Sequence, residues 1–374
     1  MEISFYQNAL QKRTQEHCFR KIPHPKTHNI DLASNDYLRL SHASNLIKSA
    51  KNAAETYGVS SKASPLICGY SLAHQSLEKT LLAWYSFNEC LIWNSGYAAN
   101  RAILSKLPQK HDLILADKWI HNSFVRGMIE SPAEYKRYPH LDLNQLALLL
   151  ESATGKYQNI FVVTESVFSM DGDYPDMKKM AALKKKYSFI WILDEAHAIG
   201  WYGKNGAGLA EQYHVLPQVD IFVGTLGKAL ASQGAFVGFQ QSIFKNYLIQ
   251  FSEEFIYSTY LNPISAEVAR TAICETQKIA KNMTSQLTEM SKTFRRNLSS
   301  FDFSCPLGDS PIVPIPVDSP LESIHIANKL KQKGIHVSAI RPPTVSPKGS
   351  RLRLSLFRGF SPVQQQQVIE ALVN

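Results

Sequence analysis

The stretch Phe189-Ile190-Trp191-Ile192-Leu193-Asp194-Glu195-Ala196-His197 decides the fold. Five successive apolar residues read as a strand buried on both faces, because a half-exposed strand would alternate. Two acids and a histidine follow at its end. The same arrangement recurs outward from it: short apolar runs at Leu91–Trp93, Leu113–Ala116, Ile160–Thr164, Ile221–Val223 and Ala235–Phe239 alternate with helical patterns. Between them, Asp142 to Ser152 has leucines at 143, 146, 149 and 150, with Asp142 placed to cap. Asp176 to Tyr187 follows Pro175, opens on an acid and closes on lysines, which suits the helix dipole at both ends. Strand–helix alternation from about Leu91 to Phe239 predicts an α/β domain around a mostly parallel sheet.

The flanks read differently. Met1 to Pro23 reads as one amphipathic helix and a Pro-containing loop, and Glu267 to Ser299 as a long helix. Pro306 to Pro320 is an irregular lead-in to a smaller α+β domain. That domain holds Ile312–Val317, a helix Glu322–Lys333 stopped by Gly334, strands Ile335–Ala339 and Leu352–Leu356, and a last helix Ser361–Val373. The expected division is an N-terminal helix and arm over 1–45, a large α/β domain over 46–265 and a small domain over 266–374.

Of the 374 residues, 44% are apolar and 19% charged, which excludes disordered, collagenous, coiled-coil and disulfide-scaffold classes. Lys plus Arg is 40 and Asp plus Glu is 31, so the net charge is 40 − 31 = +9. Such a surface suits nucleic acid, or an acidic small substrate or protein. The basic clusters are short (Lys178-Lys179, Lys184-Lys185-Lys186, Arg351 with Arg353) and are not interleaved with aromatics, so a nucleic-acid partner is not expected. Ala229–Phe244 is too polar for a membrane span, and Met1–Arg20 lacks the apolar core of a secretory signal. The five cysteines (18, 68, 90, 274 and 305) are far apart and form no C-x-x-C pair. A reduced, cytoplasmic compartment is expected, with the thiols as buried small hydrophobes and no metal site.

Five short stretches each follow a strand candidate. Gly224-Thr225-Leu226-Gly227-Lys228-Ala229 sets a lysine among small residues, where a lowered pKa favours Schiff-base chemistry. A surface turn fits the lysine too, but a Walker-type phosphate loop does not: the glycines are too close and Ala229 replaces the hydroxyl. Asp194 lies where parallel strands end on a ligand crevice, and could hold a protonated ring nitrogen while His197 reaches a ring hydroxyl. The same four letters Asp-Glu-Ala-His occur in ATPases, but those need an upstream Walker loop. His121 follows the run Leu113–Ala116 and could stack on an aromatic cofactor. Asn94–Asn100 opens a helix whose free N–H groups suit phosphate. Ser166–Gly172 adds hydroxyls. Together these are the parts of a pyridoxal phosphate site.

The chain resembles the α-oxoamine synthase family of fold-type I pyridoxal-phosphate enzymes over nearly its whole length. The resemblance rests on Ser34-Asn35-Asp36-Tyr37-Leu38, on Cys68-Gly69-Tyr70 with His74 and Leu77-Glu78, on Ser95–Asn100 and Thr164–Gly172, and on Asp194–His197 and Thr225–Lys228. It implies a large domain with a mostly parallel seven-stranded sheet between helices, plus a small α+β C-terminal domain. By the same resemblance Lys228 joins the cofactor covalently, Asp194 pairs with its ring nitrogen, His121 stacks on the ring and contacts substrate, and His197 bonds the phenolic oxygen. Gly96, Tyr97 and Thr225 contact the cofactor, and Ser169 lies beside it. Ser258 and Thr259 reach the phosphate of the other subunit, which implies a homodimer with shared sites. Arg353 grips an amino-acid carboxylate; Arg20 and Thr344 hold the acyl substrate. Ala339–Val345 followed by Arg351–Leu354 points to the branch that condenses L-alanine with a pimeloyl thioester, carried by coenzyme A or an acyl carrier protein, in biotin biosynthesis. A glycine C-acetyltransferase, a longer-chain condensing enzyme and a synthase of ketone signals are the alternatives. Where the family is rich in glycine, this chain has Ser60-Ser61-Lys62-Ala63-Ser64-Pro65 and Ala229-Leu230-Ala231-Ser232.

Overall fold

A computed structural model describes residues 3–23 and 29–374. Its strands are β1 (Ile30–Asp31), β2 (Glu89–Trp93), β3 (Leu113–Asp117), β4 (Glu134–Tyr138), β5 (Ile160–Glu165), β6 (Ile190–Asp194), β7 (Ile221–Thr225), β8 (Ala235–Phe239), β9 (Ile312–Pro316), β10 (Ile335–His336), β11 (Ser338–Ile340) and β12 (Arg351–Ser355). The chain separates into two compact units, Leu38–Ser169 with Asp173–Ser285, and Met1–Tyr37 with Met170–Gly172 and Gln286–Asn374. The boundary near residue 285 falls inside the helix Pro263–Ser299, whereas the sequence reading drew it at 265.

The larger unit is built on a seven-stranded sheet of order β2-β8-β7-β6-β5-β3-β4. β3 to β7 are parallel wherever they pair. β8 is antiparallel to both β7 and β2, so β2 runs with the parallel set. The C-terminal ends of β2, β3, β5, β6 and β7 therefore share one edge of the sheet. The six strands expected from apolar runs are all present. β4 was not foreseen: its sequence is Glu-Tyr-Lys-Arg-Tyr and its first four residues are exposed. It is a sheet edge, so one face never had to become apolar.

The interior strands are buried along nearly their whole length, with Trp191 and Phe161 closed off from solvent, as are Trp93 and Tyr138 at the ends of the edge strands β2 and β4. Asp142 caps the helix Leu143–Ala153 by accepting from the Asn144 and Gln145 N–H groups, and Asp176 caps Met177–Tyr187 through the Lys179 N–H. Of the five thiols, Cys18 and Cys90 are buried; Cys68 and Cys274 are exposed, contrary to expectation.

In the smaller unit β11, β12 and β9 form an antiparallel sheet, and β1 pairs in parallel with β10. The segment read as one strand, Ile335–Ala339, is two. It changes partner at Val337, from β1 to β12. The N-terminal helix is Ser4–Gln15 and buries no side chain, so its expected apolar face is uncovered in the single chain; residues 1 and 2 lie outside the described residues. No helix among the described residues is long and apolar enough to cross a membrane.

The two stretches where the resembled family is glycine-rich each hold a side chain in left-handed backbone, Lys62 at φ +69° and Ala231 at φ +48°. A Cβ there costs roughly 1–2 kcal/mol against glycine. Ala231→Gly is expected to stabilise the protein by about 1 kcal/mol, after the extra entropy of the unfolded glycine is offset, read as a higher urea midpoint. An unchanged or lower midpoint refutes this.

Candidate active site

Lys228 sits in a tight turn after β7, closed by Ala231 N–H to Lys228 O at 2.9 Å and Ser232 N–H to Leu226 O at 2.8 Å. A 2.7 Å hydrogen bond joins its Nζ to His197 Nε2. His197 comes from the turn after β6, and β6 and β7 are neighbours. Asp194, the last residue of β6, is 6% exposed. Its Oδ2 accepts from Asn100 Nδ2 at 3.0 Å and its Oδ1 from the Ala196 N–H at 2.9 Å. No Lys, Arg or His among the described residues forms an ion pair with it, although burying a carboxylate is unfavourable without a cation. A carboxylate has about four lone-pair positions, so room remains for a further donor, and a protonated ring nitrogen is such a donor.

The two acids of this turn divide the work. Glu195 points inward and accepts from the N–H groups of Leu209 (3.0 Å) and Ala210 (2.6 Å), holding the start of the short helix Leu209–Gln212. Burial pushes its carboxyl up to about 7, against those donors and the Ser166 hydroxyl. Gly208, at φ +109°, is required here: a Cβ would lie 2.4 Å from Glu195 Oε2.

His121 follows β3, and its Nδ1 caps the helix Asn122–Glu130. Its main-chain N–H donates to Glu165 Oε1 at 2.5 Å. Desolvation lowers the His121 pKa; the Asp194 charge opposes this and the Lys228 charge adds to it. Glu165 ends β5 directly opposite Asp194 in the sheet and is buried. Burial first, then the Asp194 charge, raise its pKa well above the carboxylate range, while Lys228 and the His121 N–H pull the other way. Two acids side by side at the strand ends therefore differ: Asp194 is served by two donors, whereas Glu165 is driven toward its neutral form.

Gly96 and Tyr97 open the helix Gly96–Lys106, capped by Ser95, whose Oγ accepts from the Ala98 N–H. The first N–H groups of a helix have no partner within it and suit an anion such as phosphate. The Tyr97 ring meets the His121 ring edge-on at 6.4 Å. Thr225 ends β7 and pairs with Ala235, which also pairs with Trp93 just before this helix. Its Oγ1 accepts from the Gly227 N–H at 3.3 Å. Ser169 is half-buried in the loop after β5. Ser258 is half-buried and Thr259 exposed; the Thr259 carbonyl accepts from Asn94 Nδ2 at 2.6 Å.

Within the smaller unit Arg353 is 4% exposed, with Nη1 donating to Ser355 Oγ at 2.7 Å and to Asn35 Oδ1 at 3.2 Å. Arg20 Nη2 donates to Thr344 Oγ1 at 2.8 Å, so two positions matched to the acyl substrate meet. Arg351 pairs with Asp171.

Sequence reasoning passed over Asn100, Ser123, Glu165 and His140. The first and third stand inside the quoted motifs, and Ser123 lies two residues after His121; no motif flagged His140. Its Nδ1 meets Asp117 Oδ1 at 2.9 Å and its Nε2 meets Asp173 Oδ2 at 3.0 Å, with the Trp119 ring stacked on it at 4.0 Å. Asp117 begins the loop that carries His121, and Asp173 closes the loop that carries Ser169.

A profile of aminotransferases of class I and II matches residues 27–372, and the chain belongs to this family. Among its relatives, the 8-amino-7-oxononanoate synthase of Chlorobaculum parvum is 38% identical over 333 residues, covering 87% of this chain and 84% of that protein. That of Hydrogenovibrio crunogenus is 36% identical over 379 residues, covering 98% and 94%. The crystal structure of 8-amino-7-oxononanoate synthase from Francisella tularensis superimposes with a TM-score of 0.76 at 32% identity, covering 92% of this chain and 96% of the other. Serine palmitoyltransferase from S. paucimobilis superimposes with a TM-score of 0.91 at 24% identity, covering 99% and 96%, a likeness of fold alone. The architecture is that of the fold-type I transferases, as the resemblance implied.

Burial disfavours a charged His140, but its hydrogen bonds to Asp117 and Asp173 outweigh that and raise its pKa to about 9. A histidine whose folded pKa exceeds its unfolded value of about 6.5 stabilises the protein fully below that value. This contribution is lost as pH rises toward 9, at up to about 1.4 kcal/mol per pH unit. His140→Gln is expected to lower stability at pH 6 and to flatten the fall between pH 6.5 and 9; urea titrations at several pH values measure both. An equally steep fall in the variant refutes the assignment.

Proposed function

We propose that this protein condenses L-alanine with a pimeloyl thioester, releasing CO2 and the free thiol, to give 8-amino-7-oxononanoate in biotin biosynthesis. Pyridoxal phosphate is the cofactor of this reading. One observation carries it: a buried aspartate with no ion-pair partner among the described residues and a lysine bonded to a histidine stand on adjacent strand ends of one sheet. The relatives named for this activity support the substrate assignment.

The residues present fit the cofactor. Asp194 has lone pairs to spare and forms no ion pair among the described residues, Lys228 offers a primary amine, and the first N–H groups of the Gly96–Lys106 helix have no partner within it. When bound, the cofactor supplies an aldehyde for amines and a cationic ring that draws electrons away from Cα. Asp194 would hold the proton on the ring nitrogen, and His197 would bond the phenolic oxygen. Lys228 Nζ takes the proton from alanine Cα and later returns one to the product carbon. His121 would stack on the ring, Thr225 and Ser169 would line it, and Gly96 and Tyr97 would bind its phosphate. Arg353 binds the alanine carboxylate through two parallel N–H bonds, a geometry that lysine does not offer. Arg20 and Thr344 hold the acyl chain. Ser258 and Thr259 complete the partner's phosphate site in a homodimer. The net charge of +9 suits coenzyme A or an acidic acyl carrier protein, and the enzyme works in the cytoplasm.

The purified protein with pyridoxal phosphate should show a visible absorbance band that borohydride bleaches, and Lys228→Ala should lack it. A colourless wild type overturns the reading. Thiol release from pimeloyl thioester should require alanine; activity with glycine or serine in its place keeps the family and removes the branch. Arg353→Ala should raise KM for alanine by roughly 10–100-fold, the worth of hydrogen bonds to a charged group.

A further inference from the structure

Asn100 and Ser123 come from different helices, Gly96–Lys106 and Asn122–Glu130. The helices approach so closely that a Cβ at Gly127 would lie 2.5 Å from the Arg101 carbonyl oxygen. That approach brings two buried polar side chains together. Asn100, 2% exposed, sets its Nδ2 3.0 Å from Asp194 Oδ2 and 3.1 Å from Ser123 Oγ. Ser123, fully buried, sets its Oγ 2.7 Å from His121 Nδ1. We infer that Asn100 and Ser123 form a fixed hydrogen-bond relay from the Asp194 carboxylate to His121, which keeps the His121 proton on Nε2 and so makes that nitrogen a hydrogen-bond donor toward substrate. The inference rests on the proposed reading of the site and adds two positioning residues to it.

The direction of every bond follows from counting protons. A carboxylate only accepts, so the Asn100 group facing Asp194 must be the amide nitrogen. Turning the amide over would set oxygen against carboxylate. The orientation that avoids this leaves Asn100 Oδ1 buried with no partner. The two protons on Nδ2 then serve Asp194 and Ser123. Ser123 Oγ is an acceptor from Asn100, so its own proton is available to His121 Nδ1. The Ser123 main-chain N–H, which can only donate, also faces Nδ1 at 3.3 Å. With two donors on Nδ1 no proton fits there, and a neutral imidazole must carry it on Nε2. Asp194, Lys228 and Glu165 are the charged groups around this histidine, and the Tyr97 ring meets it edge-on. The carboxylate of Asp194 favours a second proton, Lys228 disfavours it, and Glu165 takes only the main-chain N–H. Desolvation sides with Lys228 and keeps the ring neutral. A neutral Nε2–H binds a carboxylate or carbonyl oxygen of the substrate and does not act as a base, which leaves that work to Lys228.

The test is long-range proton–nitrogen correlation NMR on holoenzyme with nitrogen-15 histidine, the His121 signals being assigned by their loss in His121→Asn. The expected pattern at neutral pH is a protonated Nε2 and a bare Nδ1. An Nδ1–H tautomer, or a doubly protonated ring, overturns the relay without requiring any other variant to fold. Asn100→Ala and Ser123→Ala should each lower kcat/KM for alanine about 10-fold. The double variant should lose no more than the worse single one, since both break one chain of bonds. Losses that multiply overturn it. If the visible band persists in Lys228→Ala, the cofactor reading fails whatever the tautomer. If the band behaves as expected and His121 carries its proton on Nδ1, only the relay fails.

Discussion

A carboxylate buried with no ion pair among the described residues dictates the arrangement of the larger unit. Asp194 ends the central strand, shielded from water and served by two neutral donors, the Asn100 amide and the Ala196 N–H. Neutral donors stabilise a carboxylate but leave its charge uncompensated in a medium of low polarity. The neighbouring groups respond to that field. Glu165, one strand away, is pushed toward its neutral form. His121 feels the charge but stays neutral, because desolvation and Lys228 outweigh it. A ligand that brings a cation to this carboxylate relieves the imbalance, and binding is thereby coupled to stability.

The sheet makes this possible. Because β2 and the strands β3 to β7 run the same way, six loops come off one edge, and side chains far apart in sequence meet without long connections. Antiparallel β8 is the exception that closes the set: its first residue, Ala235, pairs with both Trp93 and Thr225. The helix that starts after Trp93 and the turn that carries Lys228 are brought together by that one residue.

Much of this was readable in the sequence, for a physical reason. Strands buried on both faces must be apolar throughout, so β3, β5, β6, β7 and β8 announced themselves, and chemical residues directly after them stood out. Edge strand β4 carried no such signature. The change of partner at Val337 was invisible too, because alternation describes a strand and not the neighbour it pairs with. Asn100, Ser123 and His140 escaped notice because their roles exist only once separate segments have packed. An asparagine in a helix and a serine at the start of another carry no mark of meeting 3.1 Å apart. Glu165 was overlooked although it ends a strand, since nothing local reveals that its neighbour across the sheet is a second acid. The exposed Cys68 and Cys274 show the reverse error, where a residue type's average burial was applied to particular positions.

The polar rim strand has a further consequence. β4 lies at the open border of the sheet, where main-chain donors and acceptors on its outer side have no strand among the described residues to pair with. Such a border is a template on which a foreign strand can grow, the first step of aggregation. Here Glu134, Lys136 and Arg137 are exposed along it, and Arg137 folds back onto the Lys118 carbonyl. An apolar intruder would have to strip water from three charges in succession. The side chains that concealed this strand also defend the solubility of the whole molecule.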